Sequence, residues 1–218
     1  MTPAATRCLA RVLATVALLV TARSACAQDR LPPIAAERYT PEQRQKVAEH
    51  MKTRDGVGGG PYVVLLRSPE AYIRTAQLSD YLRFKSPIGP KLTEFVSLIA
   101  AWHTKARFQW GARYTGSLRE GVAKGVLDAV ADGRRPDGMP DDEAIAYDFC
   151  TELHVMKAVS DGTYARALKQ FGEQGVVDIT AISGYYVYIG LLTNMARTPA
   201  GNSAVPLPAT FPRWADAR

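Results

Sequence analysis

Apolar residues recur every three or four positions along nearly the whole chain, and no strictly alternating stretch competes with them, so the pattern predicts an all-α protein. Thr40 offers an N-cap and Pro41 a first helical position for PEQRQKVAEHMKTR, a polar amphipathic helix that should stop at the turn-rich DGVGGGP. The helical stretch YVVLLRSPEAYIRTAQLSDYLRFK is interrupted at Ser68 and Pro69, because proline has no backbone donor and starts a fresh helix. After the turn SPIGP comes KLTEFVSLIAAWHTKARFQWGARYTGSLREG, with Gly121 as a helix stop. A short helix over 126–131 and the polar loop DGRRPDGMP follow. Asp141 should cap DEAIAYDFCTELHVMKA, and Ser160 and Asp161 should start DGTYARALKQFGEQ. The last helix, GVVDITAISGYYVYIGLLTNMAR, is apolar almost all round and is expected to be the most buried. The helical domain spans 41–199, preceded by a Pro-containing extended arm over 28–40 and followed by a tail over 200–218.

The first 27 residues do not belong to this pattern. Arg7 and Arg11 precede an apolar run that is too short to span a bilayer permanently, and Ala25, Cys26 and Ala27 form a small-residue cleavage site. An export signal cleaved after Ala27 is expected, giving a periplasmic or secreted protein with no stable membrane anchor. Lipid attachment at Cys26 is the alternative, although Arg23 stands where such sites want an aliphatic residue. Cleavage removes Arg7, Arg11 and Arg23 and no acid, so the formal charge falls from +6 to +3. The remaining Lys and Arg are interspersed with Asp and Glu, with no dense basic run or aromatic platform, which argues against a nucleic-acid partner. Cys8 and Cys26 leave with the leader. Cys150 alone remains, which excludes an internal disulfide, a CxxC pair and a cysteine zinc cage.

One carboxylate, Glu94, sits in an apolar helical run. Burial disfavours the charged form of a carboxyl and so suits it to proton transfer, provided a hydrogen-bond partner satisfies it. LTEFVSLIAAWHTKARFQW and VVDITAISGYYVYIGLLTN also read as weak copies of each other, which would set Glu94 and Asp178 at related positions of a duplicated hairpin; chance register between two buried helices explains the likeness equally well.

From about residue 61 to residue 199 the chain resembles the carboxymuconolactone decarboxylase and alkylhydroperoxidase D-like family. The likeness rests on TEFVSLIAA, the spacing from Arg113 to Gly121, ADGRRPDGMPDDEAIAYDF, and above all VSDGTYARALKQFGEQGVVDITAISGYY followed by Asn194 and Pro199. The resemblance implies an all-α bundle of about six helices that assembles as a homo-oligomer, trimer or hexamer, with sites near subunit contacts. It also implies either proton transfer on a small carboxylated or lactone compound or thiol peroxidase chemistry. Glu94 falls on the family's proton-relay glutamate, whereas the two cysteine positions hold Ala106 and Gln109 and the histidine position holds Arg113. Without a thiolate at those positions, peroxide attack has no nucleophile there.

An acid, an amide and a guanidinium remain as catalytic candidates. Arg113 presents a planar fork suited to a substrate carboxylate, Gln109 lies one turn before it, and Glu94 would be the general acid or base; a plain Glu94–Arg113 salt bridge is the other reading. In one straight helix Glu94 and Gln109 would stand about 22 Å apart, at roughly 1.5 Å per residue. A break near His103, Thr104 and Lys105, with Thr104 as a new N-cap, is therefore expected unless a neighbouring subunit completes the site. His103, Trp110 and Tyr185 are the substrate-binding candidates, each with packing as the plainer explanation. No metal site is expected, since His154 follows Glu152 without a second histidine at a ligand interval, and His50 stands on a polar helix. No cofactor is implied. The expectation is thus a decarboxylase-like lyase or isomerase acting on a small molecule, with a noncatalytic helical oligomer as the alternative.

Overall fold

Eight α-helices and one 3-10 turn make up the regular structure among the described residues, 29–54, 56–200 and 205–211, of a computed structural model, and no strand occurs among them. The expected leader, its cleavage site after Ala27, Cys26 and most of the tail lie outside the described residues. The helices are α1 (Pro41–His50), α2 (Pro61–Leu65), α3 (Pro69–Phe84), α4 (Gly89–His103), α5 (Arg107–Arg119), α6 (Lys124–Ala131), α7 (Asp141–Met156) and α8 (Asp161–Ala196). The all-α expectation holds, but eight helices replace about six: proline restarts the chain at Pro61 and Pro69, and a sharp turn separates α4 from α5.

Thr40 caps α1 through a full capping box, its hydroxyl accepting from Gln43 N at 3.1 Å while Gln43 Oε1 accepts from Thr40 N at 2.8 Å. Gln43 also donates from Nε2 to Leu66 O at 3.0 Å, tying α1 to the core. The helix ends at His50, sooner than its polar pattern implied. The arm before it is not wholly extended, since Ala36–Arg38 form a 3-10 turn, and Arg30 N donates to Ala196 O at 2.8 Å. Asp141 does not cap α7: Pro140 holds that position without a side-chain bond, and Asp141, Asp142 and Glu143 place negative charge in the first turn, where the helix dipole favours it. Ser160 caps α8 as expected, accepting from Thr163 N. The two last helices read from the sequence run on as α8, bent at Gly172 (φ 68°, ψ 177°) into limbs over 161–171 and 173–196.

Helix α4 is the spine. Ten consecutive residues from Leu92 to Ala101 are buried, and α4 packs against α3, α5, α6, α7 and α8. Phe95, Leu98, Ile99, Trp110, Ile179 and Ile182 fill the centre, each removing enough apolar surface to stabilise the fold by about 1.5–3 kcal/mol. Helix α8 is long and apolar enough to cross a membrane, yet 56 % of its most apolar window is packed inside the fold, as in a core helix.

The break required to form a site lies at 104–106. Lys105 takes a left-handed φ of 52°, and Ala106, not Thr104, occupies the N-cap position of α5. Thr104 instead closes α4, donating from its hydroxyl to Ala100 O at 2.7 Å. Helix α8 holds this turn: Asn194 donates from Nδ2 to Thr104 O at 2.9 Å, and a methyl at Gly190 would stand 2.6 Å from Thr104 Oγ1 and 3.0 Å from Ala106 Cβ. Only a residue without a side chain allows that approach. Helix α5 thereby folds back along α4 and returns Gln109 and Arg113 toward Glu94.

Candidate functional site

Glu94 is 4 % exposed and serves as the hub of an ion-pair cluster. Both of its carboxylate oxygens accept from Arg113 Nη1 at 2.9 Å, and Oε1 also accepts from Arg83 Nη2 at 3.2 Å. Arg113 Nη1 donates further to the Tyr186 hydroxyl at 3.3 Å, with the guanidinium 5.4 Å from that ring's centroid. Burial works against the charge on Arg83, but Tyr186 and Glu94 outweigh it and hold its pKa above the ordinary value. The carboxylate fits because Gly116 faces it, where any β-carbon would overlap Glu94 Oε2. The sequence candidates Glu94 and Arg113 are thus brought into direct contact within one chain.

Over this cluster lies a cavity of about 360 Å³. Its wall carries Arg54, Arg83 and Arg113, the amide of Gln109, and the rings of Tyr62, Phe108, Tyr185 and Tyr186. Glu94 is beneath the guanidiniums and is not part of that wall. Arg54 is fixed by a second acid, donating from Nε to Asp80 Oδ1 at 2.6 Å, from Nη1 to the Tyr62 hydroxyl at 3.0 Å and from Nη2 to Ser79 Oγ at 3.1 Å. Arg54 and Arg83 both lie against Phe84, 5.8 and 5.2 Å from its ring centroid. Burial pushes the Tyr185 phenol upward, so its hydroxyl stays protonated and hydrogen-bonding.

Two further groups were not singled out as site residues from the sequence. His50, the last residue of α1, lines the cavity at 1 % exposure, its ring 5.2 Å from Tyr62 and 5.0 Å from Tyr72, and neither ring nitrogen has a hydrogen-bond partner among the described residues. The loop GVGGGP forms part of the wall through Gly58 and Gly59, and Gly60 takes a φ of 57° where Phe108 leaves no room for a side chain. The glycine run itself was the sequence signal available, and it reads as a flexible turn.

The remaining candidates are located elsewhere. Trp110 is fully buried, donating from Nε1 to Pro206 O at 3.0 Å and meeting Phe211 edge-on, so it packs the core and does not face the cavity. His103 belongs to a separate cavity of about 180 Å³ with Trp102, Tyr147 and Thr151. It stacks on His154 at 4.7 Å, and His154 Nε2 meets Ser183 Oγ at 2.8 Å. Asp178, the possible counterpart of Glu94, accepts hydroxyls rather than cations: Ser86 Oγ at 2.7 Å and Tyr81 Oη at 3.0 Å.

Cys150 is buried away from the cavity, and burial pushes its thiol up to about 12, which removes the thiolate that peroxide chemistry needs. Among the described residues no three His, Cys, Asp or Glu side chains come together as metal ligands. No protein-family model matches this chain, and a search of the curated proteins finds no match.

Proposed function

We propose that the arginine-lined cavity binds a small compound carrying one carboxylate and that the protein acts on it by proton transfer, in the manner of a decarboxylase-like lyase or isomerase. The observation that carries this reading is the charge balance of the wall. Three guanidiniums approach one hollow, while among the described residues two carboxylates, Asp80 and Glu94, are committed to them, leaving a single positive charge there to be matched by a ligand. Tyr62, Phe108, Tyr185, Tyr186 and Ile189 supply apolar surface for a ring or lactone. The resemblance to the decarboxylase and alkylhydroperoxidase D-like family supports the same class of substrate, and the leader-like N-terminus supports export.

Arg113 is the anchor in this scheme, with Glu94 holding its fork in place. Benzoate titrated by calorimetry into the purified protein in chloride buffer should bind saturably. Arg113→Ala should weaken binding about 10- to 150-fold, the range for a hydrogen bond to a charged group of roughly 1.5–3 kcal/mol. Unsaturable heat, or unchanged affinity in the variant, would remove the cavity from the function.

A noncatalytic binding protein is the second reading. It is favoured by the position of Glu94, which lies behind two arginines instead of on the cavity wall. In either case a homo-oligomer, trimer or hexamer, is supported by the exposed apolar stripe of Val177, Tyr188, Leu191 and Met195 along α8.

A further inference from the structure

We infer that Phe108 sets the length of compound the protein accepts, by closing the arginine-lined cavity against a second, apolar hollow that would otherwise take the ligand's tail. This inference rests on the carboxylate-binding reading above and narrows its substrate class to carboxylates of a single compact ring.

The second hollow has a volume of about 260 Å³. Leu31 and Pro33 of the N-terminal arm, Val63 and Val64 of α2, and Pro199 beyond α8 give it apolar walls, and no lysine or arginine lines it among the described residues. Its charged residue is an acid, Asp29. A carboxylate therefore has no cation to meet there, whereas an alkyl chain has a wall to cover.

Phe108 lines both hollows, and so does the loop that faces it. Gly59 and Pro61 line the arginine side, while Gly60 between them lines the apolar side. A β-carbon on Gly60 would stand 2.1 Å from Phe108 Cζ and 2.3 Å from Cε1, so the tip of the ring rests on bare backbone. Only glycine admits that contact, and it does so at a left-handed φ of 57°. Ring and loop together form the partition. Arg113, the anchor, follows Phe108 by five residues, about 7.5 Å along α5 at roughly 1.5 Å per residue. In this arrangement a ring held by its carboxylate on Arg113 fits short of Phe108, and a chain on its far edge runs into the partition. A wall that clashes with the longer ligand discriminates without any added contact to the shorter one.

Benzoate and 4-butylbenzoate are the probes, the second adding only a straight apolar chain to the first. In calorimetry the wild-type protein should bind 4-butylbenzoate at least about 10-fold more weakly than benzoate. In Phe108→Ala the ratio of the two dissociation constants should shift at least about 10-fold toward 4-butylbenzoate, since each buried methylene is worth about a factor of four in affinity. The ratio is the readout, because Phe108 also lends apolar surface to the ring. Val63→Asp added to Phe108→Ala should cancel the shift by setting a charge in the path of the tail. Equal binding of the two probes by the wild type, or an unchanged ratio in Phe108→Ala, would overturn the partition. A shift that survives Val63→Asp would overturn the second hollow as the place of the tail. Failure of the wild type to bind benzoate at all would instead overturn the cavity reading on which this one rests. Should Phe108→Ala fail to fold, Phe108→Leu, which lacks the ring atoms that meet Gly60, is judged by the same ratio.

Discussion

At the scale of single residues, the Glu94 cluster rests on a missing methyl group. Gly116 lies inside α5, where alanine is ordinarily favoured by about 1 kcal/mol, so propensity alone predicts that Gly116→Ala stabilises the protein. Contact with the carboxylate reverses the sign. Displacing Glu94 from Arg113 should cost about 1–3 kcal/mol in urea unfolding, typical of forced overpacking, and should weaken benzoate binding in parallel. A stabilised variant would mean that the carboxylate is free to move aside. Glu94 and Arg113 were legible in the sequence because an acid in an apolar run and a cation one hairpin away both stand out from their surroundings. His50, Arg54 and Arg83 were not, since each sits among polar residues of helix or loop and acquires its environment only from segments distant in the chain.

At the scale of elements, the position of α5 depends on the clamp that α8 puts on the turn at 104–106. The separation of Glu94 and Gln109 along one straight helix, with Thr104 as the cap-like residue between them, located the break to within a residue or two, but the device that makes it was hidden: a non-glycine residue with positive φ leaves no compositional trace, and Thr104 closes one helix where its type suggested opening another. The glycine that admits the turn is on a different helix. Gly190→Val should therefore destabilise the protein by about 1–3 kcal/mol in urea unfolding and weaken benzoate binding as well, because α5 carries Gln109 and Arg113. Gly184→Ala, on the same limb with nothing within 4 Å of the added methyl, should be neutral or stabilising by up to about 1 kcal/mol and leave binding unchanged. Equal behaviour of the two variants would show that the clamp does not position α5.

Taken as a whole molecule, the all-α architecture followed from the hydrophobic period, and the order of helices followed from proline, glycine and cap residues. What the period could not reveal was which buried polar residues face each other across the bundle, because that depends on the rotation of each helix against α4. The His103–His154 stack is one such result, and it gives the fold a pH dependence. Burial pushes both imidazoles down to about 4, assisted at His103 by His154, Lys105 and Lys157 and at His154 by Lys157. Between about pH 6.5 and pH 4 the unfolded chain therefore binds more protons than the folded one. Their contribution is fully present above about pH 6.5 and is lost as the pH falls toward 4. Urea midpoints measured from pH 7 to pH 4.5 should decline, and His103→Phe should flatten the decline while keeping the stack on His154. A flat wild-type profile would contradict the burial of the pair.

The bend at Gly172 joins two limbs of α8 that the sequence presents as separate helices, and its backbone lies where only glycine is at ease among the ribosomal amino acids. An L-alanine methyl there would touch nothing, so Gly172→Ala isolates conformational strain, expected at about 1–3 kcal/mol in a thermal melt. The same dihedral angles are the mirror image of ordinary extended backbone. A chain assembled by ligation with D-alanine at this one position should relieve the penalty that its L counterpart imposes, making handedness itself the variable in a joint between two helices.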